Sequence, residues 1–258
     1  MKTGLLTLTF ATLVGAPLAI AGPAEDKGLE LSRKVDKAND GWRGESSTME
    51  MLLINAHGDK TTRKLTSRVV ESDGDGDRSR IEFLWPADVK GTRMLTWTHK
   101  KGDDDQWLFL PAVNRVKRIA SSNKSGSFMG SEFAYEDLGS QEVEKYKHKF
   151  IEDTKLDGRS SWKIDRVPVD ARSGYSRIVT WIDVEYMNPT KVEYYDRKGE
   201  LLKTAKFLGY VKHSKWWRTG QIVMLNHQTK KESRLSWTDR KIEQPLSQDD
   251  FRSDGLER

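Results

Sequence analysis

Residues 104–138 read DDQWLFLPAVNRVKRIASSNKSGSFMGSEFAYEDL. An apolar run, 107–110, meets Pro111 and Ala112 and continues as a second run, 113–119, that carries Arg115, Lys117 and Arg118. Two such runs around a proline-led turn predict a β-hairpin. Beyond it the pattern breaks. Residues 121–130 supply serines, glycines and an asparagine, then Phe128 and Met129, before Phe133 and Tyr135 appear among acids. Bulky apolar residues at the far end of a polar loop gain by leaving water, so the loop reads as a lid or a plug over something the rest of the chain provides.

On either side the chain is strand after strand. Before the loop, 49–56, 61–70, 80–85, 93–100, 106–110 and 113–119 are each bounded by Gly, Asp, Asn or Pro, the punctuation of antiparallel hairpins. After it come 143–154, 161–169, 177–186, 191–195, 201–211, 221–228 and 231–237, with turns at 156–159, 187–189, 197–199 and 218–220. Neighbouring strand residues point to opposite faces. Ile178, Ile182, Val184 and Tyr186 therefore share a face opposed by Arg177, Asp183 and Glu185, and Ile81, Phe83 and Trp85 oppose Arg80 and Glu82. A dozen or so twisted strands do not stay flat; the expectation is a sheet that curls into a barrel or deep half-barrel with an apolar concave face. One helix precedes it, over 24–39, where Gly28, Leu31, Val35 and Ala38 recur at steps of three and four. With no repeat and no Pro- or Ser-rich linker, residues 22–258 read as a single domain.

Residues 1–21 have the form of an export signal: Lys2, an apolar stretch over 5–20 and Ala19-Ile20-Ala21, predicting cleavage after Ala21 into a periplasmic space. The chain has no cysteine, which excludes disulfides and attachment of lipid to an N-terminal cysteine. Of its 258 residues 32% are charged and 36% hydrophobic, less apolar material than the roughly 45–50% of an average globular chain. The net charge of +5 is spread without a basic run, so nucleic acid is excluded as a partner while transient contact with an anionic membrane surface is not.

No reaction is written in the residues. His57, His99, His148, His213 and His227 are not at metal-ligand spacing. Residues 73–77, DGDGD, begin like a calcium loop, but Arg78 and Leu84 stand where glycine and the bidentate glutamate belong, leaving an acid-rich turn. Ser127 and Ser131 lack the G-x-S-x-G elbow. Nine tryptophans are many for so hydrophilic a chain; on a curved sheet such rings serve a core or a dry pocket for acyl chains.

The phrases FLWPADVKGT (83–92), QWLFLPA (106–112), RVKRI (115–119) and SFMGSEFAYEDL (127–138) resemble the outer-membrane lipoprotein-sorting-like proteins of Gram-negative bacteria, relatives of the periplasmic lipoprotein carrier LolA. The resemblance implies a curved, incompletely closed antiparallel β-barrel, a half-barrel of the LolA/LolB kind, with a concave face covered by helix and loop. It also implies a non-enzymatic carrier without cofactor. Such a carrier binds lipid or lipoprotein acyl chains and exchanges them with an envelope transporter of the RND or MMPL type. Trp107, Leu108, Leu110, Phe128, Met129, Phe133 and Tyr135 are then the lipid-binding or lid residues, and Arg115, Lys117 and Arg118 a docking surface. The alternative is an accessory module that binds a transporter and carries no lipid.

Overall fold

The computed structural model describes residues 22–257; the export signal and its cleavage after Ala21 lie outside the described residues. Helix α1 (Pro23–Asn39) begins with proline in its first turn, where the ring's missing N–H costs nothing, and carries Glu25 and Asp26 there. It buries Gly28, Leu31 and Ser32, while Ala38 faces solvent. Strands β1 (Gly44–Ile54), β2 (Lys60–Val70), β3 (Arg78–Trp85), β4 (Arg93–Trp97), β5 (Asp105–Leu110) and β6 (Arg115–Arg118) form one meander. The second comprises β7 (Tyr146–Leu156), β8 (Arg159–Pro168), β9 (Tyr175–Asp183), β10 (Asn188–Asp196) and β11 (Leu201–Leu208), then two later strands. Between them β12 (Val211–His213) and β13 (Trp216–Arg218) make a separate two-stranded ribbon, before β14 (Gln221–Asn226) and β15 (Glu232–Ile242) rejoin the sheet.

The two meanders are joined where β1 pairs with β15, giving one antiparallel sheet of thirteen strands in the order β6-β5-β4-β3-β2-β1-β15-β14-β11-β10-β9-β8-β7. Its edges, β6 and β7, do not pair with each other. This is the curved, incompletely closed half-barrel that the alternating strands and the family resemblance imply. Among the described residues no helix is long and apolar enough to cross a membrane.

The concave face holds the main core. Met51, Leu65, Phe83, Met94, Ile178, Val192, Ala205 and Met224 are buried there. Helix α1 closes on β7 through Gly28, where a Cβ would stand 2.6 Å from the backbone nitrogen of Phe150. Leu31 then reaches Trp162, Ile164 and Ile182.

Three expectations need correction. The strand read as 177–186 ends at Asp183, and the turn read at 187–189 occupies 184–187. Asp183 accepts the backbone N–H groups of Glu185 and Tyr186 at 2.9 Å each, a local side-chain turn that outcompetes the ladder. Likewise the strand read as 201–211 stops at Leu208, and residues 211–218 leave the sheet as the ribbon. The sheet is also apolar on both sides over β4–β6. There Leu95, Trp97, Phe109 and Val116 are covered on the convex face by Phe251 and Leu256 of the C-terminal segment, and the indole N–H of Trp97 donates to the Phe251 carbonyl at 2.6 Å.

Candidate functional site

Because β6 and β7 are the two edges of the open sheet, residues 119–145 must cross from one rim to the other. Their tip is a small hairpin. Ser127 and Ala134 form a bridge, the Phe128 N–H donates to the Phe133 carbonyl at 2.7 Å, and the Ser131 N–H closes on Phe128 at 2.9 Å. Met129 (φ 51°) and Gly130 (φ 75°) are its two central residues, both in the left-handed conformation that primed hairpin turns demand. The turn drives Phe128 into the concave core, where it is 1% exposed and packs against Phe83 and Tyr135 with ring centroids 5.8 and 5.9 Å away.

Polar bonds hold the tip from several strands. Lys203 of β11 reaches Asp137 at 2.6 Å and the Glu132 carbonyl at 2.9 Å, and the Lys203 and Asp137 side chains are only 3% and 6% exposed. The Tyr175 hydroxyl donates to the other oxygen of Asp137 at 2.8 Å; its burial and that carboxylate push its pKa well above the usual phenol value. Asn226 donates to the Glu132 carboxylate at 2.7 Å, Ser233 accepts the Glu132 N–H at 2.9 Å, and Gln106 donates to the Tyr135 carbonyl at 2.9 Å. Arg63 donates to the Met129 carbonyl. Glu136 accepts from Ser173 and the Gly174 N–H at 2.7 and 2.9 Å.

Beside this tip an apolar cavity of about 360 Å³ remains between α1, residues 133–143 and the concave face of β7–β11 and β14. Its walls include Phe133, Val143, Ile182, Val192, Phe207, Ile222 and Met224. The volume falls at the lower end of the ~300–1,000 Å³ typical of small-molecule sites. Two wider clefts, of about 630 and 620 Å³, are lined by many charged side chains: Lys100, Asp104, Lys124, Lys145 and Arg172 in one, and Asp40, Glu71, Asp75, Asp77 and Glu142 in the other. Charged walls of that kind gain little from an acyl chain.

The architecture has solved counterparts. A domain assigned to outer membrane lipoprotein sorting from Vibrio parahaemolyticus is 45% identical with a TM-score of 0.89, the match covering 91% of this chain and 100% of that one. The chain belongs to the outer-membrane lipoprotein-sorting-like family. A family described as "Uncharacterized protein" matches residues 75–258. A DUF1329 family protein from Desulfovibrio piger is 28% identical with a TM-score of 0.86, covering 90% of this chain and 99% of its own. A LolA superfamily protein from Nitrosomonas europaea, at 18% identity, shares the fold with a TM-score of 0.70, covering 88% of this chain and 98% of its own. No curated protein sequence matches the chain.

In this lipoprotein-sorting-like protein the residues singled out from sequence are divided between two faces. Leu108 and Leu110 point to the concave side with Phe128, Met129, Phe133 and Tyr135, but Trp107 alternates to the convex side, where it meets Trp97 edge-on at 4.9 Å under the C-terminal segment. Of the seven, only Phe133 reaches the wall of the 360 Å³ cavity. The basic trio lies on edge strand β6. Arg115 opposes Leu110 and Lys117 opposes Leu108, whereas Arg118 opposes Trp107 and pairs with Asp105, so the three do not form one surface. Sequence reasoning missed Lys203, although a lysine on the register of Ala205 and Phe207 is a signal that something buried receives it. It also left the cavity walls on β10, β11 and β14 unassigned.

The acid-rich turn of 73–77 is held within the protein. Asp75 accepts from His99 Nδ1 at 2.7 Å and from the Lys100 N–H at 2.8 Å, and the His99 bond lowers the pKa of Asp75 to about 2. Among the described residues no three His, Cys, Asp or Glu side chains are grouped to hold a metal. Next to it, burial, reinforced by Glu142, Glu71 and Asp40, raises the pKa of Asp77 to about 7. A carboxyl that binds its proton more tightly folded than unfolded withdraws stability as pH rises from about 4 through 7. Asp77→Asn therefore leaves stability unchanged near pH 4 and raises it at pH 8. The expected gain is about 2 kcal/mol, less than the roughly 4 kcal/mol the full displacement converts to, because the cleft is open to water. Urea denaturation at the two pH values checks it; equal stability of mutant and wild type at pH 8 contradicts it.

Proposed function

We propose that the protein is a periplasmic carrier that binds lipid or lipoprotein acyl chains against the concave face and passes them to or from an envelope transporter of the RND or MMPL type. The observation that supports this most directly is the apolar cavity of about 360 Å³ under the loop that joins the two sheet edges. The family relative associated with lipoprotein sorting agrees with it. At about 0.8 kcal/mol for each methylene removed from water, burying six contributes about 5 kcal/mol, enough to retain a chain without covalent chemistry. Residues 1–21, as an export signal, would deliver the chain to the periplasm. Phe133 of the loop would touch the cargo, and Leu108, Leu110, Phe128, Met129 and Tyr135 would hold the cover in place.

Native mass spectrometry of protein purified from periplasm, followed by lipid extraction, tests the reading: a co-purifying lipid mass is expected. Ligand-free protein that also takes up no fluorescent fatty acid overturns it. The filled half of the concave face, where Phe128 occupies the space over Phe83, favours a second reading, an accessory module that binds a transporter without cargo. Capture of an RND or MMPL exporter by protein that carries no lipid would support that reading instead.

A further inference from the structure

Two side chains in the cavity wall carry buried polar atoms that have no hydrogen-bond partner among the described residues: Nε of Arg166 and Oγ1 of Thr180. Thr180 is 3% exposed. In the β8–β9 ladder Arg166 opposes Ile178 and Thr180 opposes Ile164, so both project from the same face as diagonal neighbours, about 7 Å apart in such a ladder. Buried polar groups are almost always satisfied, and one left without a partner is costly.

Two carboxylates, Asp36 and Asp137, line the same cavity, and neither pairs with Arg166. Among the described residues Arg166 forms no ion pair; its guanidinium lies over the Tyr146 ring, 4.9 Å from the centroid. Lys203, the buried lysine of the concave face, is matched by Asp137. That carboxylate also accepts from the Tyr175 hydroxyl and the Ala134 N–H. His148, in the same wall, is held between the Ser32 hydroxyl and the Val143 carbonyl at 2.8 Å each. Burial disfavours its charged form, and so does the charge of Arg166. Asp36 borders the cavity but is exposed to solvent.

From Thr180 a row of concave-face residues runs across the strands, of which Thr180, Val192 and Met224 line the cavity. Thr180 opposes Val192, Val192 opposes Ala205, and Ala205 opposes Met224. Three steps of about 4.8 Å between strands make this an apolar strip about 14 Å long, with the small side chain of Ala205 in its middle. A polar, cationic end and an apolar strip are the two halves of an amphiphile's site.

We infer that the cavity takes a single-chain amphiphile with an anionic head, a carboxylate or a phosphate, whose oxygens accept from Arg166 and Thr180 while the tail lies along Val192, Ala205 and Met224. The inference rests on the acyl-binding reading and adds the class of head group and its partners. Hydrogen bonds to a charged acceptor are the strong ones, so the head discriminates between ligands with the same tail.

The test is calorimetric titration of the full chain at neutral pH with dodecanoate, dodecyl phosphate and dodecanol, using wild type, Arg166→Gln and Thr180→Val. At least one anion should bind about tenfold tighter than dodecanol, and each substitution should remove most of that preference while leaving dodecanol binding unchanged. Whichever anion is preferred identifies the head as carboxylate or phosphate. Thermal melting verifies the fold of each variant. Thr180→Val keeps the side-chain shape, so it decides the matter even if Arg166→Gln does not fold. Equal binding of dodecanol and both anions overturns this inference and leaves the acyl-binding reading standing. A preference for anions that survives in folded Thr180→Val and Arg166→Gln overturns it too. Binding of none of the three overturns both.

Discussion

Lys203→Met lowers the free energy of unfolding by about 4 kcal/mol, within the ~3–5 kcal/mol that follows when one partner of a buried ion pair is removed. The lysine is 3% exposed and its ammonium is shared between the Asp137 carboxylate and the Glu132 carbonyl. Without it the buried Asp137 carboxyl loses its ammonium partner and keeps, among the described residues, the Tyr175 hydroxyl and the Ala134 N–H. The double variant Lys203→Met/Asp137→Leu recovers part of the loss, because an apolar pair removes both desolvation costs while the Tyr175 hydroxyl and the Ala134 N–H lose their acceptor. Urea denaturation of the wild type, the two single variants and the double variant completes the cycle. A loss below about 1 kcal/mol in Lys203→Met would mean that the pair is hydrated in solution and that the plug is not anchored by it.

Phe128→Ala decides whether the central loop is a stopper or a lid. The ring is 1% exposed and wedged between Phe83 and Tyr135, so a loop that stays docked loses about 3–5 kcal/mol of stability on its removal, the range for emptying a buried aromatic site. A loop that undocks readily contributes little to global stability, and the same substitution then costs under about 1 kcal/mol while speeding release of a bound fluorescent fatty acid. We expect the first outcome. Bonds from β2, β5, β9, β11, β14 and β15 all converge on residues 129–137, and undocking must break them together. Denaturation curves and release rates, measured on the same preparations, separate the two.

The strands and the direction of their curl were legible because alternation is a local property. Phe83 opposite Glu82, or Ile178 opposite Arg177, needs only the neighbouring residue to be read. Strand ends were less so. Asp183 looks like any outward-facing acid until its carboxylate is seen gathering the backbone N–H groups of Glu185 and Tyr186, a competition between side chain and ladder that composition does not reveal. Trp107 was assigned to the cavity with Leu108 and Leu110 although period-two alternation places it on the other face. It is half-buried there because residues 246–257, some 140 positions later, fold over it.

By itself, then, the sequence determined an antiparallel sheet with an apolar concave face, a helix ahead of it, an unusual central loop with an aromatic tip, and membership of a lipoprotein-sorting-like family. Tertiary structure alone decided which rim the loop crosses to, which aromatics it inserts, that Lys203 pairs with Asp137, and that among the described residues Nε of Arg166 and Oγ1 of Thr180, both in the wall of one cavity, lack hydrogen-bond partners. The division has a physical cause. Periodicity and turn chemistry act between neighbours in the chain, whereas an ion pair 66 residues apart or a cavity bounded by seven elements exists only after the sheet has curled.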